Sequence, residues 1–363
     1  MSLLLKFFLK SIKTDIKSEL KYLFLSIIVL SFWFFVVSIP SITAFSEVGP
    51  YQVAQFDLFV TGPISEEFAK KLENSGNLVV KGKIIGGVEV CGQSGNCRKL
   101  DLFIVDNLTK ALELTEINSA YLKESIGNGG AIIDVATAKK LNVELGSYVT
   151  IQVKNVTENV EITGILYPTS ASRNRIVVDE RAVKNIADMF RGYSSLWVKL
   201  SNKSDMGDVA LIADESYFVA KRTEILDKKK AELDNLENAT IMRTMRYGGF
   251  LVILAILLRD VQSTFNLRSG DFAVLIMMGA SRNFVSLLFT ALTVLRWLLI
   301  VLPVSYVVAK AYVENFVGLF MPLDASFIIS VSLLAVFSVI VSYLASYWLF
   351  RNFDLARTLS EVR

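Results

Sequence analysis

The sequence contains no histidine. Histidine general-base catalysis and histidine-ligated metal sites are therefore excluded. Cysteine is almost as scarce: only Cys91 and Cys97 occur, in the stretch CGQSGNC. Two thiols alone make a poor zinc site. Five intervening residues, two of them glycine, let the pair close a tight loop as a disulfide, the favoured reading if the segment lies outside the cytoplasm; two free thiols are the alternative. No GxxxxGK[ST] loop is present. GNGGAIID is glycine-rich, but no Lys-Ser/Thr follows it, so no phosphate cradle is implied. A nucleophile-elbow pattern is also missing. Acidic pairs such as Glu66/Glu67 and Asp214/Glu215 fall on expected solvated faces. The sequence thus points to no catalytic residue, no metal site and no cofactor bound by this chain. Any energy source must belong to a partner.

What the chain has in abundance is apolar sequence. Hydrophobic residues make up 53% of it, and the mean hydropathy is positive, as in a membrane protein with a soluble part. Four apolar runs stand out: YLFLSIIVLSFWFFVVSIPSITAF, YGGFLVILAILLRDVQSTF, FVSLLFTALTVLRWLLIVLPVSYVVA and FIISVSLLAVFSVIVSYLASYWLF. Each is long enough to cross a hydrocarbon core of about 30 Å. The first exceeds the apolar region of a signal peptide and shows no clear cleavage site, so an uncleaved helix is expected.

Charge is divided unevenly. Residues 46–243 carry 24 Lys/Arg and 27 Asp/Glu, leaving the basic excess beside the apolar runs. That placement argues against a nucleic-acid partner. Lys6, Lys10, Lys13, Lys17 and Lys21 precede the first run. Arg268 and Arg282 lie between the second and third, and Arg351, Arg357 and Arg363 follow the fourth. The positive-inside rule puts these three segments, and both termini, in the cytoplasm.

The expected fold is an α-helical membrane protein with four transmembrane helices and a mixed α/β extracytoplasmic domain inserted between helices 1 and 2. The expected layout begins with a cytoplasmic amphipathic helix lying on the bilayer surface (1–21). Membrane helix 1 (22–45) and the extracytoplasmic domain ending in a helical stalk (46–243) follow. Next come membrane helix 2 (244–266), a cytoplasmic coupling helix (267–283) and membrane helix 3 (284–309). An outer loop (310–326), membrane helix 4 (327–350) and a cytoplasmic tail (351–363) complete it. Within the domain, LVVKGKIIGGVEV, KLDLFIVD, VEITGIL and SSLWVKL read as strands. SEEFAKKLENSG reads as a helix capped by Ser65, and RTEILDKKKAELDNLENATIM as a charged helix running straight into the second span. Asn107, Asn155, Asn202 and Asn238 head Asn-x-Ser/Thr sequons in this domain and are candidate N-glycosylation sites.

Arg259, Asp260 and Arg296 are charged residues within apolar runs. Such groups are costly and usually face a bundle interior or water. Asp260 is the natural partner for Arg296 if the two helices are adjacent. The alternatives are that Arg259 and Asp260 mark the helix's exit from lipid while Arg296 snorkels, or that they line a transport path.

The segment LRSGDFAVLIMMGASRN is too charged at its ends to span and too oily for a free loop. Arg268, Asp271, Leu275, Gly279 and Ala280 fit an R-x-x-E-x-x-x-L-x-x-x-G-A pattern, with Asp271 where the pattern has glutamate. IDVATAKKLNVELGSYVTIQV followed by VEITGIL, and the tail FDLARTLSEVR with Leu355 in place of a proline, match further stretches of one family. On these residues the chain resembles the FtsX-like and MacB-like ABC transporter permeases, essentially over its full length. The resemblance implies a non-enzymatic permease subunit, dimeric with itself or a similar permease, above a cytoplasmic ABC ATPase that binds ATP and Mg. It implies ATPase coupling through Arg268, Asp271, Phe272, Leu275, Met278, Gly279, Ala280 and Arg282, by helix-in-groove docking. An extracytoplasmic adaptor is a further expected partner, and export, lipoprotein release or regulation of an outer partner are the expected kinds of task. The competing class is a cell-surface receptor or adhesion protein with no ATPase, which has no use for an oily arm between two spans.

Overall fold

The computed structural model describes residues 16–127, 129–202, 217–354 and 358. The surface helix expected over 1–21 lies mostly outside them. So do most of the tail and the Asp214/Glu215 pair. The chain divides into two compact units: one formed by Met1–Ser41, Glu237–Tyr312 and Leu323–Arg363, the other by Ile42–Leu236 and Val313–Pro322.

The first unit is helical. Its described residues contribute to four helical segments long and apolar enough to cross a membrane: Leu23–Val53, Thr240–Leu267, Arg282–Val317 and Phe327–Arg351. Helix α1 (Ile16–Thr43) continues through a π turn (Ala44–Val48) into α2 (Gly49–Val53), so helical backbone extends past residue 45. Pro40 lies within α1. Across α1 and α8 (Thr240–Leu267), the Trp33 indole donates to the Arg246 carbonyl at 2.9 Å. A Cβ on Gly249 would stand 2.6 Å from that indole, so only glycine admits the ring there. Small residues let membrane helices approach closely in this way.

The second unit is a sheet domain. Strands β1 (Leu58–Ile64), β2 (Leu78–Gly92), β3 (Cys97–Val105), β4 (Leu122–Ser125), β5 (Ala131–Asp134), β6 (Tyr148–Val153), β7 (Val156–Leu166), β8 (Arg175–Asp179), β9 (Tyr193–Lys199) and β10 (Phe218–Lys221) form one ten-stranded sheet. The path runs β10-β1-β9-β2-β3-β8-β5-β7-β4, and β6 pairs with both β2 and β7. The ladder β2-β3-β8-β5-β7-β6 therefore returns to β2 and closes a six-stranded barrel. Beta-branched and leucine residues at alternate positions fill it: Val88 and Val90, Leu100, Leu102 and Ile104, Ile133, Val149 and Ile151, Val160 and Ile162, Ile176 and Val178. This is the period-two pattern of strands with one buried face.

β2 makes closure possible by serving two partners. Its first residues pair with β9 (Leu78↔Lys199 to Gly82↔Ser195), and its last pair with β6 (Glu89↔Gln152 to Gly92↔Val149). The register against β3 shifts between Ile85 and Val88, where Gly87 has φ +67°. A bulge with a left-handed glycine bends and twists a strand, and here it turns β2 from open sheet into barrel.

Short helices cover the sheet: α3 (Glu66–Asn74), α4 (Leu108–Leu114), α5 (Val135–Leu141) and α6 (Lys184–Asp188). Ser65 caps α3 by accepting the Phe68 N–H at 3.2 Å, and α3 buries Phe68, Ala69 and Leu72 with Leu58, Val60 and Val79. The buried Asp134 caps α5, accepting from Ala136 N (2.8 Å), Thr137 N (3.0 Å) and the Thr137 hydroxyl (2.6 Å).

Three expectations need correction. The charged helix α7 (Arg222–Asn238) does not run straight into the second span, because Ala239 leaves helical geometry at ψ 132° and starts α8. Residues 310–326 are not simply a loop: helical backbone persists through Val313–Val317. The stretch Val313–Pro322 belongs to the sheet domain. There Phe320 packs on Phe45 and Tyr167, with ring centroids at 4.9 and 4.6 Å, and Met321 is buried.

Candidate functional site

Two features of the helical unit carry candidate residues. The first is α9 (Ser269–Met277), joined to α8 through the single residue Arg268, whose N–H reaches the Thr264 and Phe265 carbonyls at 3.2 Å. Its far end is a Schellman turn: Gly279 N donates to Ile276 O (3.0 Å) and Ala280 N to Leu275 O (3.1 Å). Gly279 sits at φ +94°, a conformation that favours glycine. Ser281 then caps α10 (Arg282–Arg296) through the Phe284 N–H at 3.2 Å. The glycine-alanine-serine run is thus a helix stop followed at once by a helix start.

The α9 side chains divide into two sets. Phe272 is 2% exposed and Leu275 7%. Phe272 packs in tilted or edge-on contact with Phe265, Phe289 and Phe350, ring centroids 5.2–5.7 Å apart, and Phe353 joins that cluster through Phe265 and Phe350. Phe272 and Leu275 are therefore packed inside this chain. Met277 and Met278 are 54% and 70% exposed, as are Gly279 and Arg282, while Arg268, Asp271 and Ala280 are half-buried. Asp271 lies in the first turn of α9, where the helix dipole favours an anion. The aromatic cluster escaped the sequence reading, although Phe265 and Phe272, seven residues apart, were a visible signal.

The second feature is the charge within the apolar runs. Arg296 forms an ion pair with Asp260 and also reaches the Thr264 hydroxyl at 3.4 Å. Trp297 adds its indole N–H to Asp260 Oδ2 at 2.9 Å; this third partner was not foreseen. Asp260 is buried, whereas Arg259 is exposed. α10 continues through a π turn (Trp297–Val301) into α11 (Leu302–Tyr312), so Arg296 and Trp297 sit at a local widening of the helix, a feature frequent at functional sites.

In the sheet domain Cys91 and Cys97 form a disulfide (S–S 2.05 Å) across the last pair of the β2–β3 hairpin. Glu89 lies close enough to make a three-ligand group with them, but the two sulfurs are bonded to each other, leaving one carboxylate. Asn155, Asn202 and Asn238 are exposed, while the Asn107 amide oxygen caps α4 by accepting from Lys110 N at 3.0 Å. Glu116 is buried and accepts the Trp197 indole N–H at 2.7 Å. Burial pushes its carboxyl above the usual glutamate value, against the pull of the Trp197 bond and Arg175. Burial alone would also raise Asp179, but the Arg181 guanidinium and the Leu108 and Arg181 N–H groups outweigh it and hold that carboxyl below its usual value.

No family model matches the chain, and no curated protein matches it. Among solved structures it is similar to the periplasmic region of MacB from Actinobacillus actinomycetemcomitans, at 13% identity, covering 52% of this chain and 95% of that one, with a TM-score of 0.37. It is also similar to the extracellular domain of the noncanonic ABC-type transporter YknZ from Gram-positive bacteria, at 16% identity, covering 46% and 98%, with a TM-score of 0.34.

Proposed function

We propose that the chain is the membrane-spanning permease subunit of an ABC transport complex. It would couple ATP binding and hydrolysis in a separate cytoplasmic ATPase to movement of an extracytoplasmic sheet domain. The observation that carries this reading is α9: a short helix between two membrane-spanning segments, pinned by Phe272 and Leu275, that exposes Met277 and Met278 at its tip beside Arg282. Exposed methionines suit a hydrophobic groove in a partner. The inward anchor suits transmission of a rigid-body motion, because a push on the tip must move the Phe265–Phe289–Phe350 cluster with it.

The remaining assignments follow from this reading. ATP and Mg would be held by the partner, and two permease chains, identical or similar, would stand above two ATPase subunits. Both termini and α9 would face the cytoplasm, as the lysine and arginine placement supports. The disulfide supports an oxidising compartment for the sheet domain, where an adaptor and glycans on the exposed sequons would be accessible. Export, lipoprotein release and control of an outer partner are the tasks such a device can perform.

The test is co-purification. Met277→Asp with Met278→Asp should leave the protein inserted and folded yet remove the ATPase, since each new carboxylate in an apolar groove costs at least about 1–3 kcal/mol. An ATPase retained at wild-type level by that variant, or no ATPase bound to the native protein, defeats the proposal.

A further inference from the structure

A cleft in the sheet domain has one wall made by the C-terminal turn of the Arg282–Val317 segment, with Glu314, Asn315 and Phe316, and the other by Lys139, Lys140 and Arg173. Lys139 and Lys140 end α5, where a cation complements the helix dipole, and that alone would explain an ordinary surface. It does not explain three further facts. Lys139 Nζ reaches Asn315 Oδ1 at 2.7 Å, which ties it to the end of a segment long and apolar enough to cross a membrane. Arg173 comes from a separate turn before β8 yet lines the same cleft. Phe316 is 82% exposed, a costly position in water but a favourable one at the boundary between headgroups and acyl chains, where the apolar side chains of surface helices are buried. The Asp134 carboxylate, also in the lining, is occupied by three bonds at the start of α5.

We propose that this cleft binds the phosphate headgroup of an anionic phospholipid, with Lys139, Lys140 and Arg173 holding the phosphate and Phe316 lying against the first carbons of the acyl chains. Cations near a membrane surface attract anionic lipid by about 1 kcal/mol each, and arginine matches a phosphate with paired donors. Glu314 opposes the anion and tunes the site. The inference rests on the Arg282–Val317 segment crossing a membrane and is independent of any ATPase.

The experiment is native mass spectrometry of the purified full-length protein, equilibrated with phosphatidylglycerol or phosphatidylcholine. Wild-type protein should retain phosphatidylglycerol preferentially. Each of Lys139→Ala, Lys140→Ala and Arg173→Ala should lower that retention about fivefold, Lys140→Arg should preserve it, and Glu314→Gln should raise it. Equal retention of the two lipids, or unchanged retention in the triple alanine variant with an intact melting transition, overturns the proposal. Displacement of the lipid by inorganic phosphate would reveal a free-phosphate site and overturns it as well. If the alanine variants do not fold, Glu314→Gln and Lys140→Arg still decide the matter.

Discussion

Asp260 and Trp297 meet through one oxygen: the indole N–H lies 2.9 Å from Asp260 Oδ2, the same atom that Arg296 engages. A carboxylate held this way in an apolar setting has its charge and one of its oxygens answered from one helix. Asp260→Asn should therefore destabilise the helical unit by about 3–5 kcal/mol, because it breaks a largely buried ion pair. Pairing it with Arg296→Met should recover most of the loss. Unfolding in detergent micelles measures both; additive losses in the double variant would count against the pair as a unit.

Glu116 offers a second test. Its carboxyl is raised above 4.5 by burial, so the folded state binds a proton more tightly than the unfolded one. The stability this gives is full below the unfolded value and is lost as pH rises through the folded value. Melting temperature across that window should fall in the native protein, and the Glu116→Gln slope should be flatter. Asp179, held low, contributes in the opposite sense under acid, so the comparison must be made between variant and parent at each pH.

Barrel closure depends on Gly92. A Cβ there would stand 2.4 Å from the Leu141 carbonyl and 2.9 Å from Val143 Cγ1. Gly92→Ala should cost about 1–3 kcal/mol through overpacking. Gly127→Ala, where nothing lies within 4 Å, should change little. Equal melting temperatures for the two variants would exclude this account of closure.

The disulfide predicts that Cys91 and Cys97 resist alkylation until reductant is added. Its short loop gives about 2–3 kcal/mol in the chain-entropy picture. Free labelling of unreduced protein would contradict both the bond and the oxidising placement of the domain.

The spans and the Ser65 cap could be read from sequence because their signals are local: long runs that are mostly apolar, and a serine ahead of two glutamates. The Asp260–Arg296 pair was legible because lipid leaves few ways to satisfy a charge. The barrel was not, since pairing β6 with β2 and β8 with β3 joins strands far apart in the chain, and period-two patterns name no partner. The burial of Phe272 and Leu275 within the chain was not legible for a related reason. Helical spacing identifies an oily face but not whether that face meets its own chain or another. Residues 310–326 read as a plain outer loop because they separate two apolar runs, whereas Phe45 and Tyr167, on which Phe320 packs, lie far away in sequence.

Because Val313–Pro322 is part of the sheet domain, the chain passes between the two units at four places rather than two. A protease that cuts near residues 41 and 236 would not liberate a domain. Cuts near 312 and 322 would be needed too, and the short piece between them would remain seated on Phe45 and Tyr167 without any covalent bond. A fragment spanning only 42–236 would expose that aromatic seat to water, so its poor solubility would report a missing piece of chain and not a failure of the barrel to fold.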